Sequence, residues 1–95
     1  MHVISRRKLA EFSLMHPDAE VALDVWYRVA KSSVWRNLQE VRQVYPHADT
    51  VGKWTVFNIR GNRYRLIAEI GYQSRIVFIR HILTHSEYDK GGWKR

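Results

Sequence analysis

The stretch Trp54-Thr55-Val56-Phe57-Asn58-Ile59-Arg60-Gly61-Asn62-Arg63-Tyr64-Arg65-Leu66-Ile67-Ala68-Glu69-Ile70-Gly71-Tyr72, with its continuation Arg75-Ile76-Val77-Phe78-Ile79-Arg80-His81-Ile82-Leu83, decides the fold. It is rich in β-branched and aromatic residues, and turn chemistry at Gly61-Asn62 and Gln73-Ser74 divides it into three strands, 54–60, 62–72 and 75–83. The middle strand alternates, Tyr64, Leu66, Ala68 and Ile70 facing one way and Arg63, Arg65 and Glu69 the other. The last is apolar on both faces, as in a sheet interior. This predicts a three-stranded antiparallel meander.

Outward toward the carboxyl end, Thr84-His85-Ser86-Glu87 fits a capping box and predicts a short final helix stopped by Gly91-Gly92. Trp93 then falls outside any element and is expected to be exposed. Toward the amino end the period becomes helical. His2 to Ile4 predicts a short strand, Ser5 an N-cap, and Leu9, Phe12 and Met15 or His16 the buried face of a first helix. Pro17-Asp18 breaks that helix, and Asp18 is expected to cap a second with its apolar stripe at Ala22, Leu23, Val25, Trp26, Val29 and Ala30. Asn37 and Glu40 predict the cap of a third, carrying Leu38, Val41 and Tyr45. The expected class is α+β, a single domain over residues 1–95, with an N-terminal strand and helices packed on the meander.

A two-residue Gly61-Asn62 turn pairs Asn58 with Arg65 and Phe57 with Leu66. Phe57, Ile59, Tyr64 and Leu66 then form the core side, and Asn58, Arg60, Arg63 and Arg65 the other. A similar second turn sets Arg80 opposite Ile67, on the arginine side. Like charges across strands destabilise a sheet, so such a face points to a ligand. Arginine suits phosphate because its planar guanidinium offers paired donors and stays charged. The alternative is a solvated face with salt bridges to Glu69, Glu87 or Asp89. His85 in the first turn of the final helix, and Tyr88 one turn on, stand beside it, and histidine is the usual proton carrier near neutrality.

The charge agrees. Residues 1–52 hold seven basic and six acidic side chains, residues 53–95 nine and three, so +1 and +6 sum to the net +7. The second half is therefore the polyanion-facing half, which suits nucleic acid, an acidic protein partner or an anionic membrane. No cysteine is present, so no disulfide or thiolate metal site is expected. His81 and His85 lack a third ligand for zinc, no glycine pattern suggests a nucleotide, and no cofactor is expected. The charged amino terminus lacks the apolar run of a signal peptide and no stretch has the length to span a membrane, so a cytoplasmic protein is expected.

Three tracts resemble one known family. Val56 to Ile67, with its Gly61-Asn62-Arg63-Tyr64-Arg65-Leu66, and Phe78 to Lys90, with its Thr84-His85-Ser86-Glu87-Tyr88-Asp89-Lys90, are similar to segments of the HigB toxins within the RelE-like group; Trp35 to Val51 is similar too. The resemblance covers most of the chain and is most specific from Val56 to Trp93. It implies a RelE-like fold, a metal-independent mRNA interferase acting in the ribosomal A site, and inhibition by a HigA-type helix-turn-helix antitoxin. It carries catalytic roles to Arg65, Arg80, His85 and Tyr88, with Arg63 and Lys90 in support; Arg60 and Asn58, from the basic face of the hairpin, are expected to bind RNA beside them. The chain departs from the group in having no glutamate placed as base.

Cleaving RNA without metal requires a base for the 2′-hydroxyl, positive charge for the pentavalent phosphate and an acid for the leaving 5′-oxygen. Arg65, with Arg63 or Arg80, is expected to stabilise the phosphate, His85 to transfer a proton, and Tyr88 to orient a base or share that transfer. Two alternatives stay open. One is a non-catalytic nucleic-acid-binding domain using the same arginines; the other is an interaction module docking an acidic helix.

Overall fold

A computed structural model describes residues 1–94. The chain runs β1 (His2–Ile4), α1 (Arg7–Met15), a 3₁₀ turn (Pro17–Ala19), α2 (Glu20–Ser32), α3 (Leu38–Val44), β2 (Asp49–Val51), β3 (Trp54–Ile59), β4 (Tyr64–Gly71), β5 (Ile76–Thr84), α4 (His85–Lys90) and a last 3₁₀ turn (Gly92–Lys94). The expected meander, β3-β4-β5, is the centre of a five-stranded sheet ordered β1-β5-β4-β3-β2. β1 joins parallel to β5, which becomes an interior strand, as its two-faced apolar pattern requires. β2 was not anticipated: Asp49-Thr50-Val51 is too short to show a period, and it exists because β3 offers it an antiparallel partner.

The β3–β4 register is the expected one, with Phe57 opposite Leu66 and Asn58 opposite Arg65. Phe57, Ile59, Tyr64 and Leu66 accordingly lie in the helix-covered core, with Leu23, Trp26 and Ala30 of α2 and Val41 of α3. Phe57 is its hub, its ring centroid 5.5 Å from Trp26, 6.1 Å from Trp35 and 5.4 Å from Tyr45. Val25, assigned above to the buried stripe, is half exposed instead.

The opposite face is not wholly polar. Val56 and Ile67 are buried there beneath Trp93, with Trp54, Leu83 and Tyr88 packed around them. Trp93 is thus 6 % exposed, contrary to the expectation, because the chain after α4 folds back over the sheet and the Trp93 indole N–H donates to the Tyr88 carbonyl at 3.0 Å.

The caps divide in the same way. Asn37 accepts from the Glu40 N–H at 3.0 Å, and Thr84 and Glu87 close the capping box with bonds of 3.2 and 2.9 Å. Gly91 ends α4 at φ 74°, a left-handed conformation that favours glycine. Ser5 does not cap α1; it sits at φ 70°, and α1 starts after Arg6 with no side-chain cap. Nor does Asp18 cap α2, because its carboxylate is engaged by the β3–β4 turn.

Candidate functional site

Arg65 is the buried charged side chain of the described residues, 8 % exposed. Strand alternation sends it from the middle of the sheet to the face away from α1 and α2, where α4 shields it. Its Nη1 donates to the carbonyls of Asn62 (3.1 Å) and Tyr64 (3.2 Å), and its Nη2 to Asn62 Oδ1 (2.5 Å). Nη2 also lies 3.2 Å from His85 Nδ1, and the guanidinium carbon sits 5.5 Å from the centre of the Tyr88 ring. Every partner is neutral. The guanidinium is therefore oriented by hydrogen bonds while, among the described residues, its charge is left without a carboxylate, an arrangement suited to receiving an anion.

The bond to Arg65 also decides the state of His85. A guanidinium can only donate, so Nδ1 must accept, and the neutral ring then carries its proton on Nε2. Nε2 faces Asp89 Oδ2 at 3.1 Å, one helical turn on, and a protonated Nε2 donates to it. Capping at Thr84 places His85 as the first residue of α4, and the His85 backbone N–H donates to the Arg63 carbonyl at 3.0 Å. The result is a row of contacts, Arg65–His85–Asp89, running from the buried guanidinium to the exposed side of α4.

Tyr88 lies one turn along α4. Its ring stacks on Trp93 at 5.2 Å, so one of its surfaces is occupied by an aromatic neighbour. Asn58 stands across the strand from Arg65, half buried, and Lys90 is exposed in the last turn of α4.

Three of the expected arginines do not join Arg65. Arg60 and Arg63, at the turn, reach toward the helix side: Asp18 Oδ2 accepts from the Nη1 of both, at 2.9 Å for Arg63, and Asp18 Oδ1 accepts from the Tyr64 hydroxyl at 2.6 Å. The hydrogen bond from Tyr64 holds the Asp18 carboxyl down at about 2 against the opposing effect of burial, with Arg63 and Arg60 adding to it. The same bond raises the Tyr64 phenol above its ordinary value. Arg80 does not oppose Ile67. A bulge pairs Ile67 with His81 and Ala68 with Ile79, so Arg80 is the extra residue. It stays on the Arg65 side of the sheet but turns to Glu69 at 3.0 Å. Burial, then Lys8 and Arg80, push the His81 imidazole below its usual range, which favours its neutral form.

Two members of the cluster were missed in the sequence. Asp89 was legible as the i+4 neighbour of His85 on a capped helix, although it had been weighed only as a salt-bridge partner. Asn62 was not: its grip on Arg65 depends on how the turn folds back. Among the described residues, no group of three or more His, Asp or Glu side chains is placed to hold a metal ion.

Comparison with known proteins identifies the family. Residues 19–91 match the family model of the HigB toxin, described as the RelE-like toxic component of a toxin–antitoxin system. The mRNA interferase HigB of Escherichia coli O6:H1 (strain CFT073) is 36 % identical over 93 residues, covering 95 % of this chain and 90 % of that protein. The mRNA interferase toxin HigB of Escherichia coli K12 is 27 % identical over 92 residues, covering 94 % and 88 %. With its α+β fold, its five-stranded sheet and its short final helix, this chain belongs to the HigB family of RelE-like toxins.

Proposed function

We propose that this toxin is an mRNA interferase whose cleavage centre is the Arg65–His85–Tyr88 surface. The activity follows from family membership and from relatives named mRNA interferase. The position of the centre is supported above all by one observation: Arg65 is buried, held by neutral acceptors and, among the described residues, paired with no carboxylate, whereas Arg60 and Arg63 share Asp18 and Arg80 is bound to Glu69.

In this reading Arg65 binds the scissile phosphate and stabilises the charge that develops on it during attack. Once the phosphate draws the Arg65 guanidinium away from His85 Nδ1, that nitrogen receives the 2′-hydroxyl proton, and the leaving 5′-oxygen takes its proton from the Tyr88 hydroxyl or from water. Asp89 orients its ring and stabilises the imidazolium that forms. Tyr88 contributes its hydroxyl, or the ring surface not covered by Trp93, and Asn58 and Lys90 extend the phosphate track. Arg80 supports from two rungs along the sheet once RNA competes with Glu69 for it. The substrate is mRNA in the ribosomal A site, the compartment is the cytoplasm, and the antitoxin is of the HigA helix-turn-helix type.

The test is cleavage of a defined mRNA in a reconstituted translation system, with and without ribosomes, by wild type, Arg65→Ala and Arg65→Lys. Both variants should lose on the order of 100-fold or more in rate, lysine included because it cannot reproduce the fork. Wild-type rates from folded Arg65→Ala would move the centre elsewhere. Cleavage of naked RNA would keep the nuclease and remove the ribosome.

A further inference from the structure

The tie between Asp18 and the β3–β4 turn is on the helix side of the sheet, yet it ends at the residues that build the site on the other side. The turn spans residues 60–63, with Arg60 at φ 51° and Gly61 at φ 63°. A left-handed conformation is unfavourable for arginine, so the surroundings must hold it there. What holds it is visible: Arg60 and Arg63 both donate to Asp18 Oδ2, and the next residue, Tyr64, donates to Oδ1. Asp18 is itself anchored, because it lies in the Pro17–Ala19 turn between α1 and α2. Tyr64 packs there against Phe12 and His16, with centroids 5.3 and 5.4 Å away.

From the same four residues three bonds leave toward the candidate centre. The Asn62 carbonyl and Oδ1 accept from both terminal nitrogens of Arg65, at 3.1 and 2.5 Å. The Arg63 carbonyl accepts the backbone N–H of His85 at 3.0 Å. A turn gripped on one side by a carboxylate thus sets, on the other, the direction of the guanidinium and the start of the helix that carries the histidine.

We propose that Asp18 is a positioning residue for RNA cleavage: by holding the 60–63 turn from the helix side, it fixes Arg65 and His85 in their working arrangement on the opposite face. This rests on the reading of the Arg65–His85 surface as the cleavage centre. The positioning has a second consequence, since releasing the turn also frees two arginines to meet RNA phosphate. Loss of Asp18 should therefore separate catalysis from binding.

The experiment compares wild type, Asp18→Asn, Asp18→Glu and Arg65→Ala on mRNA in translating ribosomes, with kcat and KM determined separately. Alongside, ¹H–¹⁵N spectra of the Arg65 guanidinium are recorded in the free proteins, where bonds from both terminal nitrogens slow rotation and keep their signals distinct. In Asp18→Asn, kcat should fall roughly 10- to 100-fold, as expected when reacting groups are displaced by about 1 Å. KM should stay level or fall, and the two Arg65 signals should merge. Asp18→Glu, which keeps the charge, should recover part of both.

Unchanged kcat and unchanged Arg65 signals in folded Asp18→Asn, with Arg65→Ala inactive, would overturn the inference alone. A loss of activity that tracks the folded fraction, with the Arg65 signals intact in the folded population, would overturn it too. Wild-type cleavage by Arg65→Ala would overturn the cleavage-centre reading and the inference with it. The guanidinium signals would still report whether Asp18 orders Arg65.

Discussion

Arg63 and Arg65 stand two residues apart and carry the same charge, but their surroundings give them opposite uses. Arg63 is exposed and bound to a carboxylate; Arg65 is buried and bound only to neutral groups. Strand alternation alone would put both on one face, and the sequence reading did so. The reading failed for Arg63, and for Arg60, because both lie in the turn, where the pleat no longer governs direction and a carboxylate 45 residues from Arg63 can capture them. Asp18 itself offers a sharp test at this scale. Its carboxyl titrates at about 2 in the folded protein against an ordinary 3.8, so its stabilising effect is complete above about pH 4 and is lost as the pH falls from there toward 2. The stability gap between wild type and Asp18→Asn, measured by urea unfolding from pH 6 to pH 2, should be constant down to about pH 4 and narrow below it. A gap of constant size over the whole range would mean that the charge of Asp18 holds nothing.

At the scale of elements, α4 shows how far local chemistry reaches. Its start and stop were legible because Thr84, Glu87 and Gly91 act within four residues of their partners, and backbone groups at helix ends must be satisfied locally. A six-residue helix has little stability of its own, so the cap matters. Thr84→Ala should cost about 1 kcal/mol, lowering the unfolding midpoint by roughly 4–8 °C. Cleavage should fall further than stability does, since His85 is the first residue of the helix. Thermal unfolding and cleavage rates measured on the same preparation check this, and equal losses would show α4 to be a structural appendage. The bulge in β5 was invisible for the converse reason. Nothing between Ile79 and Ile82 departs from a strand pattern, and the extra residue appears only where Ile67 meets His81 across the ladder.

Over the whole molecule the sheet is used on two faces. One carries the larger core under α1, α2 and α3, centred on Phe57; the other carries a small cluster of Val56, Ile67 and Trp93 under α4. The small cluster adjoins the candidate centre through Tyr88, so the candidate centre stands beside the smaller of the two cores. Trp93→Ala should remove up to about 3–5 kcal/mol of packing, chiefly by freeing α4 and not by global unfolding. Amide exchange should accelerate at Tyr88–Lys90 while protection around Phe57 persists; uniform acceleration would mean that the two faces unfold as one. Association with RNA should also weaken steeply with salt, because six of the seven net positive charges lie in residues 53–95.

The class of fold, the β3–β4 register, the caps of α3 and α4 and the grouping of Arg65 with His85 and Tyr88 could be read from residues 37–90, because periodicity, capping and turn chemistry act between near neighbours. The family could be read there as well, from Gly61 to Leu66 and Thr84 to Lys90. Only the tertiary structure decided which arginines keep a free charge, that Trp93 is buried, that β1 and β2 complete the sheet, and that Asp18 serves the turn instead of a helix. Each of these depends on groups brought together from distant positions. A side chain with two available partners takes the one that packing delivers, and no local pattern records that choice.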